Sequence, residues 1–295
     1  MTIDGTRANV VTPPVVPTLS RYTGYLLRRA FTQAQQIGTN LVPPPNSVRD
    51  IAVLSLVNDR GPMSQRELGE LLQLNRTIVV KLVDGLEDRG LVHRVRNVAD
   101  RRSYALQLSA AGRRLLRTAK PRLIAGDARL TASLSEPERR RLKALLRQLV
   151  STPGAVSGTL LSDATGYLIA HAYHSMRREG LARLAPLGVE MRQVAVLAII
   201  AEESTSQQRI AARLMVTAPV VVDLLDELSD AGFVERSRDP GDRRANAVAL
   251  SSAGRATLDA ALAVYGQMQA EVVQRVGRRG DADLRRLLRK LVDGV

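Results

Sequence analysis

Between Leu19 and Ile37 apolar residues recur at helical spacing, and Pro43-Pro44-Pro45 stops any continuation. A second helix is predicted over 47–58. A third opens at Ser64, whose hydroxyl forms a capping-box pattern with Glu67 three residues on. Asn75 is a good N-cap for a fourth helix, in which Ile78, Val79, Leu82 and Leu86 make an apolar stripe and Gly90 supplies the C-terminal turn. Two short β-prone runs, 91–96 and 103–108, flank the polar segment 97–102, and together they read as a hairpin with a basic tip. Ser109 starts a long helix. Ser135 with Glu138 starts a last one, with Pro137 in the first turn, where its missing N–H costs little.

This order occurs twice. Sliding the chain by 142 positions superimposes Thr23-Gly24-Tyr25-Leu26 on Thr165-Gly166-Tyr167-Leu168, and Ser64-Gln65 on Ser206-Gln207. The match runs on through Leu82, Asp84, Leu86, Gly90, Val92 and Arg94, which meet Leu224, Asp226, Leu228, Gly232, Val234 and Arg236. It includes the tails, where Leu142, Leu145, Leu146 and Leu149 meet Leu284, Leu287, Leu288 and Leu291. A complete unit has been duplicated in tandem. The expected organisation is an N-terminal arm over 1–17, a first repeat over 18–150, a linker over 151–159 marked by Pro153, Gly154 and Gly158, and a second repeat over 160–295.

Composition narrows the chemistry. With 295 residues, 45% of them hydrophobic, the chain can bury about two domain cores, and no apolar run approaches the roughly 20 residues a membrane span needs. The N-terminus lacks the basic start and apolar block of a secretion signal, so the expected compartment is the cytoplasm and no membrane partner is expected. The absence of Cys removes disulfides, thiolate nucleophiles and Cys-ligated zinc. A net charge of +14 points to a polyanion. No Trp, two Phe and six Tyr give few stacking platforms for single strands, which favours duplex DNA.

Two helices separated by a short turn and followed by a two-stranded hairpin make a winged helix-turn-helix, in which the second helix enters the major groove. The residues Leu82-Val83-Asp84, Leu86, Gly90-Leu91-Val92, Arg94, Asp100-Arg101-Arg102, Leu108-Ser109 and Gly112 resemble the MarR family of bacterial transcription regulators. Leu224, Asp226, Leu228, Gly232-Phe233-Val234, Arg236, Asp242-Arg243-Arg244, Leu250-Ser251 and Gly254 resemble it equally. The resemblance implies a homodimer whose first and last helices interlock into a helical base. Its two winged domains straddle a pseudo-palindromic operator, most often for repression. It also implies small phenolic or lipophilic effectors bound between the base and the DNA-binding lobes. Here two subunits are fused. The fold expected is therefore mainly α with small β-wings, two winged helix-turn-helix units on a shared helical base, forming a monomeric pseudo-dimer rather than a homodimer. A linker of about ten residues, at most about 35 Å long, is compatible with that arrangement.

The candidate DNA-binding residues fall on two elements. At the start of the first recognition helix Asn75, Arg76 and Thr77, with Lys81 further along, suit base edges and phosphates, against the reading of an ordinary solvated helix start. Their equivalents are Thr217, Ala218 and Pro219, with Asp223 in place of Lys81, so the second helix has lost those cations. On the wings Arg94, Arg96, Arg101 and Arg102 correspond to Arg236, Arg238, Arg243 and Arg244, and Arg-rich tips suit the electronegative minor groove. Arg94 and Arg236, at the entrance to each hairpin, take either a structural role or a DNA contact. Asp100 and Asp242 are assigned to orienting a neighbouring Arg. Residues 1–150 carry a net +13 and the remainder +1, so most of the electrostatic affinity is expected in the first repeat.

Tyr25, Phe31, Tyr167 and Tyr173 lie on the first helices, where the resemblance places effectors; aromatics at helical spacing are also ordinary core or interface. His171 and His174 lie three apart, but no acidic residue sits three or four positions from either, so no metal site is assigned and His93 is read as a surface or DNA-side residue. The sequence carries no phosphate-binding Gly-rich loop, His-Glu-x-x-His or Gly-x-Ser-x-Gly pattern, and neither an enzyme activity nor a cofactor is expected. The function expected is a ligand-responsive, sequence-specific repressor acting on an imperfect palindrome. The alternative is an interaction or sensing module whose second repeat has lost DNA binding.

Overall fold

The computed structural model describes residues 16–42, 44–72, 74–96, 104–150, 163–202, 206–238 and 246–294. In chain order the elements are α1 (Pro17–Ser20), α2 (Thr23–Leu41), α3 (Val48–Arg60), β1 (Met63–Ser64), α4 (Gln65–Leu72), α5 (Arg76–Asp88), β2 (Val92–Arg96), β3 (Tyr104–Leu108), α6 (Ala110–Leu130) and α7 (Glu136–Leu149). The second repeat follows with α8 (Thr165–Leu184), α9 (Met191–Glu202), α10 (Gln207–Leu214), α11 (Ala218–Asp230), β4 (Val234–Arg238), β5 (Asn246–Leu250) and α12 (Ser252–Asp293).

The described residues form two compact units that do not follow the duplication. One holds 27–176 with 275–294, and the other holds 177–274 with the chain's first turns up to residue 26. The first repeat thus gives 16–26 to the unit of the second winged body, and the second repeat gives 163–176 and 275–294 to the unit of the first. The arm expected over 1–17 ends earlier than the sequence suggests, because Val16 is fully buried and Pro17 opens α1.

In the 27–176 unit, α3, α4 and α5 pack around Ile51, Leu54, Leu68, Val79, Val83 and Leu86, and Leu106 and Leu108 of β3 close the core from the sheet side. The sheet runs β1-β3-β2, antiparallel throughout, with Val92 opposite Leu108 and Arg96 opposite Tyr104. Local chemistry sets the boundaries. Ser47 and Asp50 form a reciprocal capping box on α3, and Ser64 and Glu67 do the same at α4. The Asn75 side chain accepts from the Ile78 N–H at 2.9 Å and starts α5. Gly90 turns the chain at φ 66°, a conformation a β-carbon disfavours. The Ser109 hydroxyl accepts from Gly112 N–H and donates to Gly90 O at 2.6 Å, so the start of α6 is clamped to the end of α5. A β-carbon at residue 112 would lie 2.1 Å from the Leu91 carbonyl oxygen, which explains the glycine there.

The same unit contains α7, the first part of α8 and the end of α12. Leu142, Leu145, Leu146 and Leu149 of α7 are buried, as are Leu284, Leu287, Leu288 and Leu291 of α12. Arg141 Nε bonds Asp283 at 3.0 Å, and Glu138 accepts from Lys290 Nζ at 2.7 Å and Arg286 Nη1 at 3.0 Å. The Lys290 ammonium, the Ser135 N–H and Arg286 hold the Glu138 carboxyl down to a pKa of about 2. Helix α12 breaks at Gly277, whose φ of 75° is non-helical; this is the position of Ser135, the N-cap of α7, in the first repeat.

The other unit repeats the winged body. Val196, Leu197, Ile199, Ile210, Val221, Leu225 and Leu228 are buried along α9, α10 and α11, and β4 pairs with β5 in the register of β2 and β3. The clamp recurs as well: Ser251 accepts from Gly254 N–H and donates to Gly232 O at 2.6 Å. The chain's first turns are built into this unit. Thr18 N–H donates to Glu202 at 2.9 Å, Tyr22 packs edge-on against Tyr265 at 5.6 Å, and Thr23 N–H donates to Gln269 Oε1 at 2.8 Å.

One contact occurs in both units. Gln269 supplies the oxygen that starts α2 at Thr23, and Asp127 accepts from Thr165 Oγ1 and Gly166 N–H at the start of α8, each at 3.1 Å. Thr165 lies 142 positions after Thr23, and Gln269 lies 142 after Asp127. The sequence predicted the first helix over 19–37; its start at Thr23 is set by this distant cap, which no local pattern encodes.

Candidate nucleic-acid interface

Val79, Val83 and Leu86 turn α5 into the core, which leaves Asn75, Arg76, Thr77, Ile78 and Lys81 exposed along its first half. Asn75 spends its carboxamide oxygen on the helix cap and keeps its two N–H donors. Arg76 and Lys81 have no carboxylate in ion-pair range among the described residues. Thr77 and Lys81 are four apart and share a face. This is a cluster of donors and two cations at a helix start, the arrangement that reads base edges and phosphates.

Arg94 is engaged differently. Its guanidinium bonds Asp84 and Glu87 of α5, and its N–H donates to Glu87 at 3.2 Å, tying β2 to the recognition helix. The Asp84 hydrogen bond raises its pKa further. Of the two roles open to Arg94 this geometry occupies the structural one, and the pairing gives the exposed Asp84 of α5 a partner on β2. Sequence reading missed Asp84 as the partner, although its spacing to Lys81 already put it on the exposed face. Arg96 is exposed at the end of β2, opposite Tyr104, a 57% exposed aromatic that sequence reading also passed over. His93 is exposed and bonds Gln107 at 3.1 Å.

Asp100, Arg101 and Arg102, and likewise Asp242, Arg243 and Arg244, lie outside the described residues. Arg236 and Arg238 occupy β4, opposite Val248 and Asn246. In α11 Thr217 takes the N-cap place of Asn75 but makes no side-chain cap, Pro219 occupies the first turn, and Thr217 and Ala218 are exposed. Asp223, Asp226, Glu227 and Asp230 are exposed along the same helix, which contains no cation.

The four candidate effector residues are not brought together in one unit. Tyr25 is buried in the 177–274 unit, where its hydroxyl accepts from Val16 N–H at 3.0 Å. The other three lie in the 27–176 unit. Phe31 stacks on Tyr173 at 4.7 Å with His174 edge-on at 4.9 Å, and Tyr167 donates to Leu71 O at 3.3 Å. Burial pushes the Tyr167 hydroxyl up to about 12. Among the described residues no group of three or more His, Cys, Asp or Glu side chains is placed to hold a metal ion. Among them too, no single helix is long and apolar enough to cross a membrane.

Two helix-turn-helix bodies, each followed by an antiparallel wing, define a duplicated winged-helix protein. The MarR family profile matches residues 47–104, and a second MarR family profile matches 187–245. The HTH-type transcriptional repressor Rv2887 of Mycobacterium tuberculosis is 30% identical over 129 residues, 43% of this chain and 93% of that protein. A putative transcriptional regulatory protein for the hcr operon of Thauera aromatica is 31% identical over 97 residues, 33% of this chain, and the match spans 58% of its length. Among solved structures, CouR from Rhodococcus jostii RHA1 bound to p-coumaroyl-CoA is 26% identical, with a TM-score of 0.42 over 46% of this chain and 96% of that one. CouR bound to a 23-mer DNA duplex is 29% identical, with a TM-score of 0.39 over 42% of this chain and 87% of that one. The chain belongs to the MarR family of transcription regulators.

Proposed function

We propose that this chain is a sequence-specific repressor of duplex DNA in which one polypeptide supplies both halves of the DNA-reading body. The observation that carries the reading is the exposed Asn75–Arg76–Thr77–Lys81 face of α5, held on a winged body by the Arg94 pairing. The repressor assignment of Rv2887 supports the direction of control. The intramolecular pseudo-dimer is supported by the duplicated cap, in which each repeat's long helix starts the other repeat's first helix. Two chains would be needed for such an exchange in a single-repeat protein. The operator is an imperfect palindrome, because α5 presents Arg76 and Lys81 where α11 presents Ala218 and Asp223. Arg101, Arg102, Arg243 and Arg244 remain assigned to the minor groove on the sequence pattern.

Responsiveness to a phenolic or lipophilic effector is proposed for the Phe31–Tyr173 stack and for Tyr167, which lies in the same unit. Tyr25 lies in the other unit.

The test is a gel shift with DNA flanking the chain's own gene, followed by unbiased site selection and sedimentation of the free protein. A retarded band, an asymmetric optimum and a monomer of one chain are expected. A symmetric optimum would remove the unequal-half-site reading, and a tight dimer of chains would remove the pseudo-dimer. The second reading, an interaction module that has given up DNA on one side, is favoured by the acidic α11. It predicts that α11 substitutions leave DNA affinity unchanged.

A further inference from the structure

The charge excess of the first repeat is not concentrated on its recognition helix. Helix α6 carries Arg113, Arg114, Arg117, Lys120, Arg122 and Arg129 against a single acid, Asp127. All six cations are exposed. Several arginines elsewhere pair with carboxylates, as at Arg89–Asp50, Arg141–Asp283, Arg183–Glu271 and Arg285–Asp281. Among the described residues none of the six has a carboxylate within ion-pair distance. Arg113 alone is otherwise engaged, on the Leu108 carbonyl at 2.9 Å.

At 100° per residue Arg113, Arg117 and Lys120 fall within an arc of about 60° and Arg114 lies about 60° beyond Arg117, so Arg114 and Arg117 stand opposite the buried Gly112, Leu116 and Ala119 while Arg113 and Lys120 flank that exposed face. The spacings of four and three residues put like charges next to one another, which works against the helix. Helix α12 is an internal control. At the 142-residue offset it keeps Arg255 for Arg113 but has Ala256, Asp259, Leu262, Val264 and Glu271 for the other five. That helix forms without them, so the fold does not require the cations.

The stripe is also rigidly joined to the DNA-reading body. The Ser109 and Gly112 clamp fixes the start of α6 to the end of α5 and to β2, and at 1.5 Å per residue the cations from 113 to 120 lie about 6–17 Å along the axis from that clamp.

We propose that the Arg114–Arg117–Lys120 stripe of α6 is a second, sequence-independent surface for the phosphate backbone of duplex DNA. It holds DNA outside the half-site read by α5. This rests on the DNA-binding reading above but assigns a different surface. Uncompensated cations on a fixed rod suit a polyphosphate, since each neutralised phosphate releases condensed counterions.

The experiment uses the full chain and the variant Arg114→Gln/Arg117→Gln/Lys120→Gln, with circular dichroism to compare helix content. Binding is measured against salt on a duplex of about 20 base pairs, enough for two adjacent half-sites, and on one of about 60 base pairs with the same centre. On the long duplex the logarithmic salt slope of the variant is expected to be shallower by about 2.7, and on the short one nearly unchanged. Arg114→Lys/Arg117→Lys should keep the original slope. The single change Arg117→Asp, which introduces the residue type present in α12, should act in the same direction even if the triple variant folds poorly. Equal slopes on the long duplex for the original and altered chains would overturn the proposal. So would unchanged DNA binding with lost binding to vesicles of anionic phospholipid, which would make a membrane surface the occupant. A chain that binds long duplex through α6 but selects no site would keep this surface and remove the repressor reading instead.

Discussion

Phe31 lies against Tyr173 with ring centroids 4.7 Å apart and planes 23° from parallel, and the two residues hold the same position in successive repeats. Both residues lie within the 27–176 unit. The stack contributes offset aromatic contact in addition to area burial. Phe31→Ala should lower the stability of the whole chain by about 1.5–3 kcal/mol in urea denaturation. Phe31→Tyr should be close to neutral. A loss below about 0.5 kcal/mol for the alanine variant would show that the stack adds little to the core of the 27–176 unit.

The paired caps allow a reciprocal test. Asp127→Ala removes the acceptor for Thr165 Oγ1 and Gly166 N–H, and Gln269→Ala removes the acceptor for Thr23 N–H. Each should cost about 0.5–2 kcal/mol, the Asp more than the Gln, because a carboxylate also meets the positive end of the α8 dipole. Equal and negligible losses would mean that water replaces both acceptors without penalty.

Glu138 makes stability depend on acid. Its folded pKa is depressed to about 2 from 4.5 by Lys290, Ser135 and Arg286. Its contribution is therefore complete above pH 4.5 and is lost as pH falls from there toward 2. Denaturation midpoints of the original chain should drop more steeply across that window than those of Glu138→Gln. Parallel profiles would show that the contacts of Glu138 with α12 do not couple to folding.

On DNA the two recognition helices should respond unequally. Arg76→Ala removes the exposed guanidinium at the start of α5 and, on the proposed DNA reading, should cost about 1–3 kcal/mol of binding while relaxing specificity in one half-site. Ala218→Ser should change affinity by less than about 0.5 kcal/mol, since no charged contact is lost. Competition assays with each half-site altered in turn distinguish the two. A matching loss at both positions would show that the helices are used equivalently.

What the sequence made legible was whatever is settled within a few residues. Asn75, Ser109 and the Ser135–Glu138 pair cap the helices that follow them because a side-chain oxygen need only reach an N–H three positions on. Gly90 and Gly232 turn the chain for reasons intrinsic to glycine. The duplication itself is a property of the string. The apolar periodicity of α2 says that one face is buried but not against which repeat, so the transfer of 16–26 into the unit of the second winged body was invisible. Arg94 shows the same limit at short range. Its place at the start of the wing is visible in the sequence, but only the folded hairpin brings Asp84 and Glu87 to it.

The bond between Thr23 and Gln269 joins residues 246 positions apart. At ribosomal speeds of about 5–20 residues per second, its acceptor is synthesised roughly 12–50 seconds after its donor. Until then the buried side of Leu19, Tyr22 and Leu26 has no native surface to enter, because that surface belongs to the second winged body. A message truncated after the first repeat therefore yields a polypeptide with an exposed apolar helix start, open to chaperones and proteases rather than to an operator. A chain whose first turns dock on its own residues 202 and 269 completes that part of its fold only in the last third of its translation.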